Sequence, residues 1–283
     1  MKGKSQIWQV LAATALLTMA GQAAAEDALK AVKVAGGDPI MDPAAAVWKK
    51  AKAVSVPMEA QITATPANPT PAVNKMEVKA VRNDRYLGVL VSWKDASMDD
   101  KLTIDRYGDQ VALELPMVYK KDDLPSPMMG NPGGRVCIWQ WRAALQHDVN
   151  KGPYGIKDLY PNAHNDLYPD QVLPPETAKQ YSGALGVGNP VSVAHGSPVL
   201  EAVAEGFGSL TDHSHSGKVN GKGVYKDGGW QVVFTYPLDA SGEDVIKLSA
   251  GGETAVALAV WDGGSKEAGS RKAWSQWVAL KLE

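Results

Sequence analysis

One cysteine, Cys137, and two phenylalanines are the scarcities that bound this 283-residue chain. A single thiol allows no internal disulfide. It also excludes a C-x-x-C-H attachment for covalent heme and a four-cysteine iron–sulfur site. No G-x-S-x-G occurs, and Cys137 lies in a stretch that reads as a core strand, so nucleophilic triads have little support. Basic runs are missing as well. The 29 Lys and Arg stand against 31 Asp and Glu for a net charge of −2, which argues against nucleic acid or an anionic membrane as the main partner. Beyond residue 25 no segment approaches the roughly eighteen apolar residues of a transmembrane helix, so no membrane span is expected.

What is present begins with a leader. Lys2 and Lys4 precede a mostly apolar stretch from Ile7 to Met19, and Ala23-Ala24-Ala25 offers an A-x-A cleavage site before Glu26. Residues 1–25 therefore read as a secretory signal peptide, without a twin-arginine pair. Residues 26–283 read as a single domain with a net charge of about −4 once the two leader lysines are gone. Tryptophan is abundant where phenylalanine is not: Trp48, Trp93, Trp139, Trp141, Trp230, Trp261, Trp274 and Trp277 follow the leader. Such indoles suit a core, a sugar-binding face or the walls of a pocket for a flat cofactor.

Period-two alternation predicts strands at 29–34, 54–58, 76–81, 86–93, 111–115, 136–141, 217–226, 230–236, 253–261 and 274–282. Leu102–Ile104 and Val111–Leu115 read as a hairpin, and Ala44–Lys50 as a short helix started by Asp42-Pro43. Thr65–Pro71 is a proline-rich loop. Residues 142–200 lose the pattern and read as a long loop insertion, and Val199–Gly206 as a short helix behind Ser197. Many short strands with Gly-rich turns predict a mainly β fold, an antiparallel β-sandwich with short flanking helices.

Chemistry concentrates in two places. Met128 and Met129 stand against the rigid turn Gly130-Asn131-Pro132-Gly133-Gly134, ahead of a strand with Val136, Ile138 and Gln140 on one face and Cys137, Trp139 and Trp141 on the other. Read locally, the methionines either fill core gaps or present a thioether as a soft ligand of the kind that holds heme iron. Far along the chain, Lys272 shares an extended face with Trp274 and Gln276. An exposed lysine is the ordinary reading; a lysine buried beside tryptophans loses its proton more easily and gains a lone pair to give. His213-Ser214-His215 reads as a solvated turn rather than a metal pair.

These stretches carry a resemblance. Met129-Gly130-Asn131-Pro132 running into Val136-Cys137-Ile138-Trp139-Gln140-Trp141, then Ala204-Glu205-Gly206-Phe207-Gly208-Ser209-Leu210-Thr211, Trp230-Gln231-Val232-Val233-Phe234, Ala259-Val260-Trp261-Asp262-Gly263 and Arg271-Lys272-Ala273-Trp274-Ser275 occur in that order. Together they resemble the heme b-binding gamma subunits of periplasmic type II molybdoenzymes of the dimethyl sulfoxide reductase family, whose members include ethylbenzene dehydrogenase, dimethylsulfide dehydrogenase, selenate reductase and chlorate reductase. The resemblance implies a β-sandwich holding one non-covalent heme b, with Met129 and Lys272 as axial ligands and Met128 and Lys266 as the alternatives. It implies a non-catalytic electron-transfer subunit of a periplasmic heterotrimer. Its partners would be an iron–sulfur beta subunit, docked on the loop from His147 to Leu200, a molybdopterin-containing alpha subunit and a soluble cytochrome c. Arg135 and Arg271 stand near the implied ligands as candidates for the heme propionates. Cys137 and the Thr65–Pro71 loop depart from the pattern without touching those ligands. A secreted carbohydrate-binding β-sandwich and a free-standing periplasmic heme-binding protein are the competing readings.

Overall fold

Alternating apolar residues along most of the chain fold into one curled sheet of fourteen strands. The computed structural model describes residues 28–162, 196–213 and 217–283. The expected signal peptide and His164, His195 and His215 lie outside them, as does most of the loop insertion. In chain order the strands are β1 (Leu29–Lys33), β2 (Val54–Pro57), β3 (Glu59–Ala60), β4 (Lys75–Arg82), β5 (Tyr86–Lys94), β6 (Gln110–Pro116) and β7 (Val136–Arg142). Helices α1 (Ala143–Lys151) and α2 (Ile156–Leu159) follow. The remaining strands are β8 (Val199–Ala204), β9 (Thr211–Asp212), β10 (Asn220–Tyr225), β11 (Gly229–Pro237), β12 (Glu253–Trp261), β13 (Ala273–Trp274) and β14 (Val278–Leu282).

The strand order is β10-β11-β5-β4-β1-β14-β12-β6-β7-β8-β9. Two half-sheets, β10-β11-β5-β4 and β12-β6-β7-β8-β9, meet at the β1–β14 seam and fold over each other as a sandwich. The mainly β expectation holds, with one refinement: β1 runs parallel to both β4 and β14, while the other ladders are antiparallel. The inner faces interleave the tryptophans. Trp141 and Trp230 meet edge to face with centroids 4.7 Å apart, Trp93 lies 6.5 Å from Trp141, and Trp139 stacks on Tyr236 at 4.7 Å. These spacings are the favourable ones for aromatic pairs.

Four local expectations change. Val199–Ala204 is a fully buried strand rather than a helix, because it pairs along β7 and tertiary pairing overrides its helix-forming Leu, Glu and Ala. Residues 102–104 form no strand; only an isolated bridge joins Thr103 to Arg106. The helix at 44–50 shortens to a 3-10 turn over Ala46–Lys49. The stretch 274–282 is broken, so that Ala273–Trp274 pairs with β12 and β3 while Val278–Leu282 joins the seam.

Around Gly88 the outer face of β4-β5-β11 is covered by the chain itself. Trp48 and Ile40 pack there on Val81, Leu90 and Val233. Gly88 makes the room, since a Cβ on it would approach Trp48 Cη2 and Ile40 Cβ to 3.2 Å. The Trp48 indole N–H donates to the Asp42 carbonyl at 2.9 Å.

Near the Trp93 end the halves are joined by buried carboxylates. Asp109 accepts from Trp230 Nε1 at 2.9 Å, from the Gly263 N–H at 2.8 Å and from the Asp99 N–H at 2.8 Å. Its oxygens and those of Asp95 and Asp262 lie within 4.8 Å of one another. Burial pushes Asp109 up to about 7 and Asp95 up to about 6.

Candidate functional site

The outer face of the second half-sheet is built differently. Alternation aims Gln110, Ala112 and Glu114 of β6 away from the tryptophan core, with Ile138, Gln140 and Arg142 of β7 and Leu200 and Ala202 of β8 beside them. Cross-strand register lays them in rows. Trp261, Gln110 and Arg142 are neighbours at one end; Ala259, Ala112, Gln140 and Leu200 form the middle; Glu114, Ile138 and Ala202 form the other end. Alanines in the middle leave space, and over them lies a cavity of about 550 Å³, within the range of small-molecule sites. Trp261 and Trp274 wall it, each indole held by a carbonyl: Gly269 O at 2.9 Å and Ala60 O at 3.1 Å.

Met129 enters this cavity from the turn after β6. Its φ of 70° and that of Gly130, 71°, put two successive residues in the left-handed region. Gly130 is required there, because a Cβ would fall 2.4 Å from the Gly134 carbonyl. A methionine in that conformation is strained and must be held by its surroundings. Three contacts do so. The Met129 N–H donates to Glu114 Oε2 at 3.0 Å, its carbonyl accepts from the Gly206 N–H at 2.7 Å, and the Gly130 N–H donates to the Ser126 carbonyl. Trp277 Nε1 fastens the start of the corner by donating to the Pro125 carbonyl at 2.7 Å. The Met129 backbone is thus fixed, which sets the point from which its side chain leaves the turn.

Lys272 enters from the segment before β13. Its ammonium lies 5.3 Å from the centroid of the Trp261 ring. Burial lowers its pKa, and the opposite charge of Glu114 works against that shift. Glu114 is itself buried and raised to about 7 by desolvation, a rise opposed first by the Met129 N–H and then by Lys272. Its Oε1 has no hydrogen-bond partner. A thioether and a lysine amine open to deprotonation therefore face one cavity with flat walls, a donor pair suited to a metal held inside a planar ligand.

The structure separates the sequence candidates. Met129 and Lys272 line the cavity; Met128 does not, and Lys266 sits exposed in the turn after Gly263 with φ 58°. Arg135 forms an ion pair with Asp244 and Arg271 is not among the lining residues, so neither expected propionate arginine stands in the wall. Among the described histidines, His147 contacts Asp100 at 3.1 Å and His213 lies 3.6 Å from Asp244. Cys137 is buried, and desolvation pushes its thiol up, as for an inert core residue. No described tryptophan is exposed, and Trp274 and Trp277 are half-buried. Glu114 is missed because a charged residue in an alternating strand reads as facing water, and Gln110 and Arg142 because they fall just outside the strands predicted at 111–115 and 136–141. The signal that could have found them was the run of outward alanines opposite them.

A second cavity, of about 590 Å³, lies over the other half-sheet beside Lys75, Glu77, Lys94, Lys226 and Gln231. It contains neither a thioether nor a buried cation.

Residues 45–273 match the family model described as "Ethylbenzene dehydrogenase". The chain is 26% identical over 264 residues to the chlorate reductase subunit gamma of Ideonella dechloratans, covering 91% of this chain and 86% of that protein. It is 23% identical over 241 residues to a Haloferax mediterranei protein carrying the name of a respiratory nitrate reductase heme subunit, covering 85% and 67%. Among solved structures, a family 9 carbohydrate binding module from Caldicellulosiruptor kristjanssonii in complex with glucose aligns over 90% of this chain and 95% of its own. Its identity is 12% and its TM-score 0.38, too loose a likeness to argue from.

Proposed function

Because the chain belongs to the ethylbenzene dehydrogenase family, we propose that it is the heme b-binding, electron-transferring subunit of a molybdoenzyme complex, in which Met129 and Lys272 would hold the heme iron. The observation that carries this reading is the meeting of those two side chains, far apart in sequence, in one cavity. The names of two relatives, a chlorate reductase gamma subunit and a nitrate reductase heme subunit, support it. When bound, heme b supplies a one-electron iron couple. The chain's own residues do the rest. The Glu114 carboxylate and the Gly206 N–H hold the Met129 backbone, so the turn from which its side chain leaves is set before any ligand arrives. Thioether ligation favours the reduced metal and raises its potential. Burial of Lys272 reduces the cost of giving up the proton that occupies its lone pair. With both residues holding the group, the chemistry it would supply is electron transfer rather than catalysis. Trp261 and Trp274 stand in the walls.

The partners in this reading are an iron–sulfur beta subunit, a molybdopterin-containing alpha subunit and a soluble cytochrome c, all in the periplasm after removal of residues 1–25. Sequencing the N-terminus of the exported protein tests the last point, with Glu26 the expected first residue. The ligand assignment is tested by adding heme to the purified protein and recording its absorption and paramagnetic resonance spectra. A six-coordinate low-spin spectrum is expected, and Met129→Ala and Lys272→Ala should each convert it to a form lacking one protein ligand. An unchanged low-spin spectrum in both variants defeats the assignment.

A further inference from the structure

We infer that Arg142 is the carboxylate-recognition point of this cavity: its guanidinium receives a propionate of the bound heme and so fixes which edge of the ring lies at the Gln110 end. The inference rests on the heme reading above and deepens it. Arg142 ends β7 and faces the cavity beside its cross-strand partner Gln110. A relay of hydrogen bonds sets its orientation. Arg142 Nη2 donates to Gln140 Oε1 at 2.9 Å, Gln140 Nε2 donates to Gln110 Oε1 at 2.8 Å, and Gln110 Nε2 donates to the Gly108 carbonyl. That relay occupies one guanidinium donor. The Nε–H is buried and has no hydrogen-bond partner. A buried, oriented donor left unpaired is costly unless a ligand completes it, and a guanidinium edge matches a carboxylate by two parallel hydrogen bonds.

Charge at the two ends favours the same placement. Glu114 lies four residues from Gln110 along β6, roughly 13 Å at the rise of a strand, and a carboxylate already at that end opposes a second one. Asp212, which pairs with Ala202, also lines the cavity and bears electrostatically on the guanidinium. It is exposed, so water screens its charge while the Arg142 Nε stays dry. The sequence candidates Arg135 and Arg271 offer no such geometry, since neither lines the cavity.

The test compares hemin with its dimethyl ester, in which the propionates can no longer bear charge, by titrating each into the purified protein and following the Soret band. The native protein is expected to bind hemin about ten- to a hundredfold more tightly than the ester, the range for charge-assisted hydrogen bonds. Arg142→Gln should lower hemin affinity by that factor and leave ester affinity within about twofold. Arg142→Lys should restore part of the preference, because it keeps the charge and loses the fork. Far-UV circular dichroism checks that both variants fold, and the native comparison decides the matter even if they do not. Equal affinity of the native protein for hemin and ester overturns the inference while leaving the heme reading intact, as does an equal loss of both ligands in a folded Arg142→Gln. A native protein that binds neither overturns the heme reading and this inference with it.

Discussion

The half-sheets bury matching aromatic inner faces but treat the middles of their outer faces in opposite ways, although the Glu77 end of the first also stays open. Over β4-β5-β11 the chain supplies its own cover, and Trp48 and Ile40 fill the hollow that Gly88 opens. Over β12-β6-β7-β8 it supplies small side chains, Ala112, Ala202 and Ala259, and rings them with Met129, Lys272, Glu114 and Arg142. A chain seeking only stability would close the second hollow as it closes the first, since an unfilled space forfeits contacts. The contrast separates a face built for stability from one kept for a ligand.

Substitutions that exchange the two treatments put this contrast at risk. Trp48→Ala opens the covered face and should cost about 3–5 kcal/mol, read as a lowered urea midpoint, while the folded fraction keeps its heme affinity. A cost below about 1 kcal/mol would mean that Trp48 is not the cover. Ala112→Leu does the reverse by filling the middle of the open floor. Heme affinity should fall at least about tenfold, roughly 1.4 kcal/mol, while stability holds or rises because the new methyls enter space rather than packed atoms. Retained affinity would show that the ligand lies elsewhere.

Where the halves meet, Asp95 has a folded-state pKa of about 6 against an ordinary 3.8, mainly through burial. A raised carboxylate binds its proton more tightly in the folded state. Its contribution is therefore greatest below about pH 4 and is lost as pH rises through about 6. Asp95→Asn keeps the oxygen that accepts the Ser97 N–H and removes the buried charge. It should be more stable than the native protein at pH 8, by on the order of 1–2 kcal/mol, with the gap closing towards pH 4 in denaturant titrations. A gap that does not vary with pH would refute the titration of Asp95. Smallest of all, Arg135→Ala breaks an ion pair at the surface with Asp244. It should cost less than about 1 kcal/mol and leave hemin affinity unchanged, in contrast to the variants of Arg142.

Much of this arrangement was legible in the chain. The alternations at 76–81, 86–93, 136–141, 230–236 and 253–261 are strands. Ladders that join distant segments were not legible. Nothing local in Leu29–Lys33 announces two parallel partners, and Val-Leu-Glu-Ala-Val-Ala is a strand only because β7 lies beside it. Helix α1 begins directly from β7 at Arg142 with no side-chain cap to mark its start. At the site, Met129 and Lys272 stood out because turn chemistry and tryptophan neighbours are written nearby in the chain. Glu114 and Arg142 act through register with residues on other strands, which one strand read alone cannot reveal.

The seam gives β1 a particular place in the history of the molecule. Leu29 pairs with Leu280, and Ala31 with both Ala80 and Leu282. The first described strand emerges from the ribosome long before either neighbour, and its second edge stays open until almost the whole chain has been made. Contacts of such separation close slowly, and an apolar strand waiting with a free edge invites pairing with other chains. Keeping that strand solitary until β14 exists becomes a task of biogenesis, and any chaperoning that delays collapse serves the yield of this fold directly.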